Sequence, residues 1–158
     1  MALLLLAGCD DSSGPAPAPP AQQLSPRALD AQQQRLVAAY QPVSSALTPY
    51  EIAFRDARAR RLPRAQLVGR ARDFRAVVAG SLRKLRPAPA SGPTAEAKAL
   101  LVQALVARRQ ALDALVEGVS GYEHRWDRSV LLARRGLTKL QDIRDRARLI
   151  PLPEDSIS

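Results

Sequence analysis

The sequence predicts an all-α protein, an antiparallel helical bundle of three to five helices. Three observations carry that expectation. Apolar residues recur at steps of three and four along most of the chain, which places them on one stripe of a helix. No segment shows the period-two alternation of a strand. Proline- and glycine-rich punctuation divides the periodic stretches into lengths that short connections fold back on one another. An elongated two-helix coiled-coil hairpin is the alternative, because residues 26–86 and 94–149 have similar lengths around the turn at 87–93. The internal prolines and the scarcity of alternating charges beside the apolar seam favour the compact bundle.

The elements follow in chain order. Ser25 is an N-cap with Pro26 at the first helical position. The stripe then runs Leu29, Leu36, Tyr40, Val43, Leu47, Tyr50, Phe54, Ala57. Pro42 and Pro49 are expected to kink or break this helix, and Thr48-Pro49-Tyr50-Glu51 reads as a capping box at which it restarts. The stripe fails at Arg61 and Arg64, which flank Leu62-Pro63, so a second helix is expected from about Pro63 with Leu67, Ala71, Phe74, Val78, Leu82 and Leu85 inward. PAPASGP at 87–93 is the strongest turn signal. Thr94 to Leu149 is helical again, with Leu101, Leu105, Leu112, Leu115, Val119, Tyr122, Trp126, Val130, Leu137, Leu140 and Ile143 on one stripe. Gly118 and Gly121 together cost about 2 kcal/mol against alanine in a helix. Two helices with a bend at 118–121 are therefore favoured over one, and Ser120 with Glu123 offers another capping box. Pro151 and Pro153 end the structure.

Four regions result: a signal segment at 1–8, a cysteine with a Pro/Ala-rich linker at 9–24, a basic helical domain at 25–150 and an acidic tail at 151–158. Within the linker, PAPAPP favours an extended, semi-rigid spacer, which at about 3.1 Å per residue reaches roughly 40 Å. Aromatics make up only 4% of the 158 residues, so Leu, Val and Ala must fill the core.

The net charge of +9 is unevenly placed. All 24 basic residues lie between Arg27 and Arg148, whereas Asp10, Asp11, Glu154 and Asp155 lie outside that span. The densest stretch holds Arg55, Arg58, Arg60, Arg61, Arg64, Arg70, Arg72, Arg75, Arg83, Lys84 and Arg86 against only Asp56 and Asp73. Such a field draws polyanions through counterion release and steering. It is the expected surface for an anionic partner, although a merely solvated basic face fits the same composition.

Leu6-Ala7-Gly8-Cys9 follows an apolar run and precedes polar sequence, and this order resembles a bacterial lipobox. The resemblance covers about the first ten residues. It implies cleavage before Cys9, a diacylglycerol on its sulfur and an acyl chain on its amine. It places the protein at the cell envelope, lipid-anchored and facing the periplasm or exterior. Several chains anchor stably where one does not, and the apolar run is far shorter than the ~20 residues that span a bilayer. Asp10 and Asp11, directly after the cysteine, resemble an inner-membrane retention signal. No Lys or Arg precedes Cys9, although export signals carry a positive n-region. The expectation is a start codon further upstream.

Residues for catalysis are sparse: one His, one Cys, no glycine-rich phosphate loop and no metal-ligand spacing. The expectation is a non-enzymatic protein with no cofactor beyond the lipid on Cys9. The partner is an anionic envelope component or a protein, and nucleic acid is disfavoured for an exported chain. The richest local stretch is 121–128. There Tyr122 and Trp126 share a helix face, and with His124 they form either a ligand patch or, more simply, a wide core layer with His124 exposed. Leu47-Thr48-Pro49-Tyr50-Glu51 and Leu137-Thr138-Lys139-Leu140-Gln141 are similar to the LTxxQ boxes of small periplasmic helical chaperones. The first ends in Glu, and the second lies inside an expected helix where the family's box starts one. That resemblance implies binding of protein clients as a second function; a third, cytosolic nucleic-acid binding, requires the lipobox not to operate.

Overall fold

The computed structural model describes residues 25–149, which form four helices: α1 (Pro26–Arg58), α2 (Arg64–Leu85), α3 (Pro93–Glu117) and α4 (Tyr122–Leu149). No strand occurs among the described residues. Cys9, Asp10, Asp11, the linker and the acidic tail lie outside them. α3 and α4 run antiparallel: Glu96, early in α3, meets Lys139, late in α4, and Arg108, further along α3, meets Ser129, near the start of α4. The bundle, with its break at 59–63 and its turn at 118–121, replaces the two-helix hairpin.

Ser25 caps α1 as the sequence predicts, its hydroxyl accepting from the Ala28 amide at 3.3 Å. No break follows. α1 stays helical through Pro42 and Pro49, and Thr48 lies in its interior, so the expected restart does not occur. Each proline removes one amide from the ladder and frees the carbonyl four residues back, on Ala38 and Ser45. Both prolines and both of those residues are exposed, so the lost bonds fall on the face of α1 open to solvent. Tyr40, Val43 and Tyr50 are buried on the other side, and their packing keeps the helix whole. α1 ends where Arg60 adopts φ 58°, a left-handed turn normally given to glycine. The Arg61 amide then donates to the Asp56 carbonyl at 2.8 Å and the Arg60 amide to Ala57 at 3.0 Å.

Gly118 (φ 71°) closes α3 in the same manner, with the Val119 amide donating to Ala114 at 2.9 Å. α4 starts at Tyr122, after Gly121 (φ 94°), so Ser120 precedes the helix by too far to cap it; the Ser120–Glu123 capping box is not formed.

Every residue of the expected α2 stripe is buried, as are Leu101, Leu105, Leu112, Leu140 and Ile143. Val119, Val130 and Leu137 are exposed instead. Val130 and Leu137 each stand one residue, about 100°, off the inward row of α4, and Val119 lies in the Gly118–Gly121 turn. Behind it α4 presents small residues to α3: Ser129, Ala133 and Gly136 are buried facing a row that includes Ala97, Leu101 and Ala104. A Cβ on Gly136 would lie 3.0 Å from Leu101 and 3.3 Å from the Ala97 carbonyl, so the two helices meet at backbone distance. Polar ties fix the far end. Gln33 Nε2 donates to the Leu140 carbonyl at 2.7 Å, and Gln32 binds the buried Thr94 hydroxyl at 2.7 Å. Lys98 Nζ donates to the Ala88 carbonyl at 2.6 Å, holding the α2–α3 connection down.

Candidate functional site

The fold separates the residues of the basic stretch. Arg55, Arg58, Arg60, Arg61 and Arg64 gather where α1 ends and α2 begins, at one end of the bundle. Arg70 turns towards α1, where with Asp73 it borders a small apolar groove over Pro49 and Phe74. Lys84 is exposed and outside the grooves lined by Arg70 and Arg72. Arg72, Arg75, Arg83 and Arg86 line an open groove of about 460 Å³ between α2 and α3, floored by Ala76, Ala79 and Leu82. α3 adds Arg109, which no property of the local sequence marks, because its part in the groove follows only from the pairing of the two helices.

One acid tempers this groove. Arg75 Nε lies 2.5 Å from Asp113 Oδ1 and Arg109 Nε 3.9 Å from Oδ2. Both are partly exposed charge contacts of the kind that contributes about 1 kcal/mol or less. Arg72, Arg83 and Arg86 are exposed and make no ion pair with another described residue. Arginine forks bind anionic oxygens in pairs, and here several point into one concave strip.

The second concentration is internal. Five of the six aromatic residues form one cluster: Tyr50 stacks on Phe74 at 5.0 Å and meets Trp126 at 5.3 Å, while Tyr122 meets Phe54 at 5.0 Å and Trp126 at 5.6 Å. The sixth, Tyr40, is linked through Arg108. Arg108 is 2% exposed, and its guanidinium lies 5.1 Å over the Trp126 ring and donates to Ser129 Oγ at 3.3 Å and to Tyr40 Oη at 3.4 Å. No carboxylate pairs with it among the described residues. Cation–π attraction and two hydroxyls offset its desolvation. Arg108 had a sequence signal: it stands three residues after Leu105 and four before Leu112, a charge on the apolar seam.

Tyr122 and Trp126 belong to this cluster and are half-buried, while His124 is exposed. The three do not meet as one ligand patch. The Tyr50 and Tyr122 hydroxyls are 3.3 Å apart, and burial raises both phenols above their usual range. Among the described residues no group of three His, Cys, Asp or Glu is placed to hold a metal ion, and no helix is long and apolar enough to cross a membrane. Both LTxxQ-like boxes lie in helix interiors, Thr48 in α1 and Thr138 in α4, not at helix starts. No family model matches the chain, and neither does any curated protein or solved structure.

Proposed function

We propose that this chain is a lipid-anchored, non-enzymatic binding module of the bacterial cell envelope, which engages an anionic partner through its basic helical surface. The observation that supports binding is the groove between α2 and α3, where Arg72, Arg83 and Arg86 stand exposed beside Arg75 and Arg109 and make no ion pair with another described residue. The anchor rests on Leu6-Ala7-Gly8-Cys9, with Cys9 carrying the lipid, Asp10 and Asp11 bearing on which membrane receives it, and the Pro/Ala linker holding the bundle off the bilayer.

The test is fractionation of cells producing the full chain or Cys9→Ser, with metabolic labelling by palmitate. The native chain is expected in the membrane fraction with label and the variant without either. An unlabelled native chain in the cytosol overturns the anchor and leaves nucleic acid as the anion the surface serves. Binding of envelope polyanions should weaken as salt rises; salt-independent binding overturns the electrostatic reading.

A client-binding chaperone is the second reading. Exposed Val130, Leu131 and Leu137 on α4 favour it. It requires suppression of client aggregation, and replacement of those residues by polar ones should abolish that suppression.

A further inference from the structure

We infer that the α2–α3 groove is a site for a linear phosphate-bearing chain, held at two arginine pairs. This rests on the reading of the basic surface as the binding face and names its ligand. The pairs are Arg72 with Arg75 and Arg83 with Arg86, each three residues apart and so on one side of α2. Eleven residues separate the first member of one pair from that of the other, about 16 Å along the axis. Between them the floor is Ala76 and Ala79, low enough for a chain to pass, and Arg109 stands on the opposite wall.

Three features choose the ligand. The site is a strip sunk between two helices, which suits a chain; a flat bilayer would meet the convex outer faces. All its cations are arginines. One bidentate fork fills the outer edge of a planar carboxylate, whereas the two free oxygens of a tetrahedral chain phosphate carry lone pairs on both sides of the O–P–O plane and accept forks from two directions, which is what a pair one turn apart offers. Finally, no aromatic residue lines the strip, because all six are spent on the interior. Stacking on bases, the usual grip on single-stranded nucleic acid, is therefore missing, and recognition runs through charge alone. Asp113 occupies Arg75, so the open end at Arg83 and Arg86 is the stronger half.

The experiment uses the full chain carrying Cys9→Ser and three probes: short inorganic polyphosphate, poly-glutamate of equal charge, and vesicles containing an anionic phospholipid. Binding is measured for the parent, for R83Q/R86Q and for R58Q/R61Q at the end of the bundle. All four positions are exposed, and helical circular dichroism verifies that each variant is folded. Polyphosphate is expected to bind more tightly than the other probes. R83Q/R86Q should weaken it about tenfold or more and flatten the slope of log affinity against log salt by about one per arginine, with R58Q/R61Q close to the parent. Equal losses in both double variants, or no preference for polyphosphate, overturn the groove and leave the general basic surface standing. Tightest binding to vesicles does the same in favour of a lipid face. No binding to any probe overturns both readings.

Discussion

Arg108 and Arg60 are arginines that the fold uses structurally. Arg60 closes α1 in a left-handed conformation. Arg108 fills a core position, and its long stem takes the place of a leucine in the seam. No acid among the described residues meets its charge, so its contribution should come from packing more than from ion pairing. Arg108→Ala is expected to cost about 2–5 kcal/mol, the range for emptying a large core side chain. Arg108→Met, which keeps the volume, should cost less than about 1.5 kcal/mol. Urea denaturation of the two variants measures this, and equal losses would show that the guanidinium's own contacts dominate.

At the scale of elements, helices were legible wherever a stripe of large apolar residues ran without interruption. All six stripe positions of α2 are buried, and Ser25-Pro26 and the 118–121 turn mark real boundaries. Two local signals misled. Pro42-to-Pro49 chemistry argued for a break, but the burial of Tyr40, Val43 and Tyr50 outweighs two lost hydrogen bonds on a wet face. Val130 and Leu137 argued for an apolar α4 seam, but the true seam is the small-residue row at Ser129, Ala133 and Gly136. Hydrophobic pattern cannot see it, since close approach is a property of two helices. Glycines test this directly. Gly136→Ala pushes a methyl against Leu101 and should destabilise by about 1–3 kcal/mol. Gly80→Ala, in α2 with open space around it, should stabilise by about 0.5–1 kcal/mol through chain entropy. Thermal unfolding shifts of opposite sign are the expected result; a shift of the same sign refutes the close-packed α3–α4 seam.

For the whole molecule, the aromatics of α1, α2 and α4 converge on one cluster, and Tyr50 and Tyr122 there keep their protons beyond the usual value of 10.0. The unfolded chain releases those protons near pH 10 while the folded chain does not. Rising pH therefore favours the unfolded state, and stability should start to fall at about pH 10 and continue downward above it. Denaturation midpoints across that window should drop more steeply for the native chain than for Tyr50→Phe/Tyr122→Phe. Parallel curves would show that the pair titrates normally.

The sequence alone determined the helical class, the inward stripe of α2, most of that of α1, and the concentration of charge in 55–86, because periodicity and composition are properties of one strand of chain. Only the tertiary structure decided which of those charges stand together. It sent Arg58 and Arg61 to one end, turned Arg70 aside, and joined Arg72, Arg75, Arg83 and Arg86 to Arg109 across a groove. It also drew Arg108 and every aromatic inward. The reason is that a groove and a core each belong to a pair of helices. Their pairing is fixed by packing at the seams, where the contacts of Gly136 and Ala97 matter as much as those of the leucines.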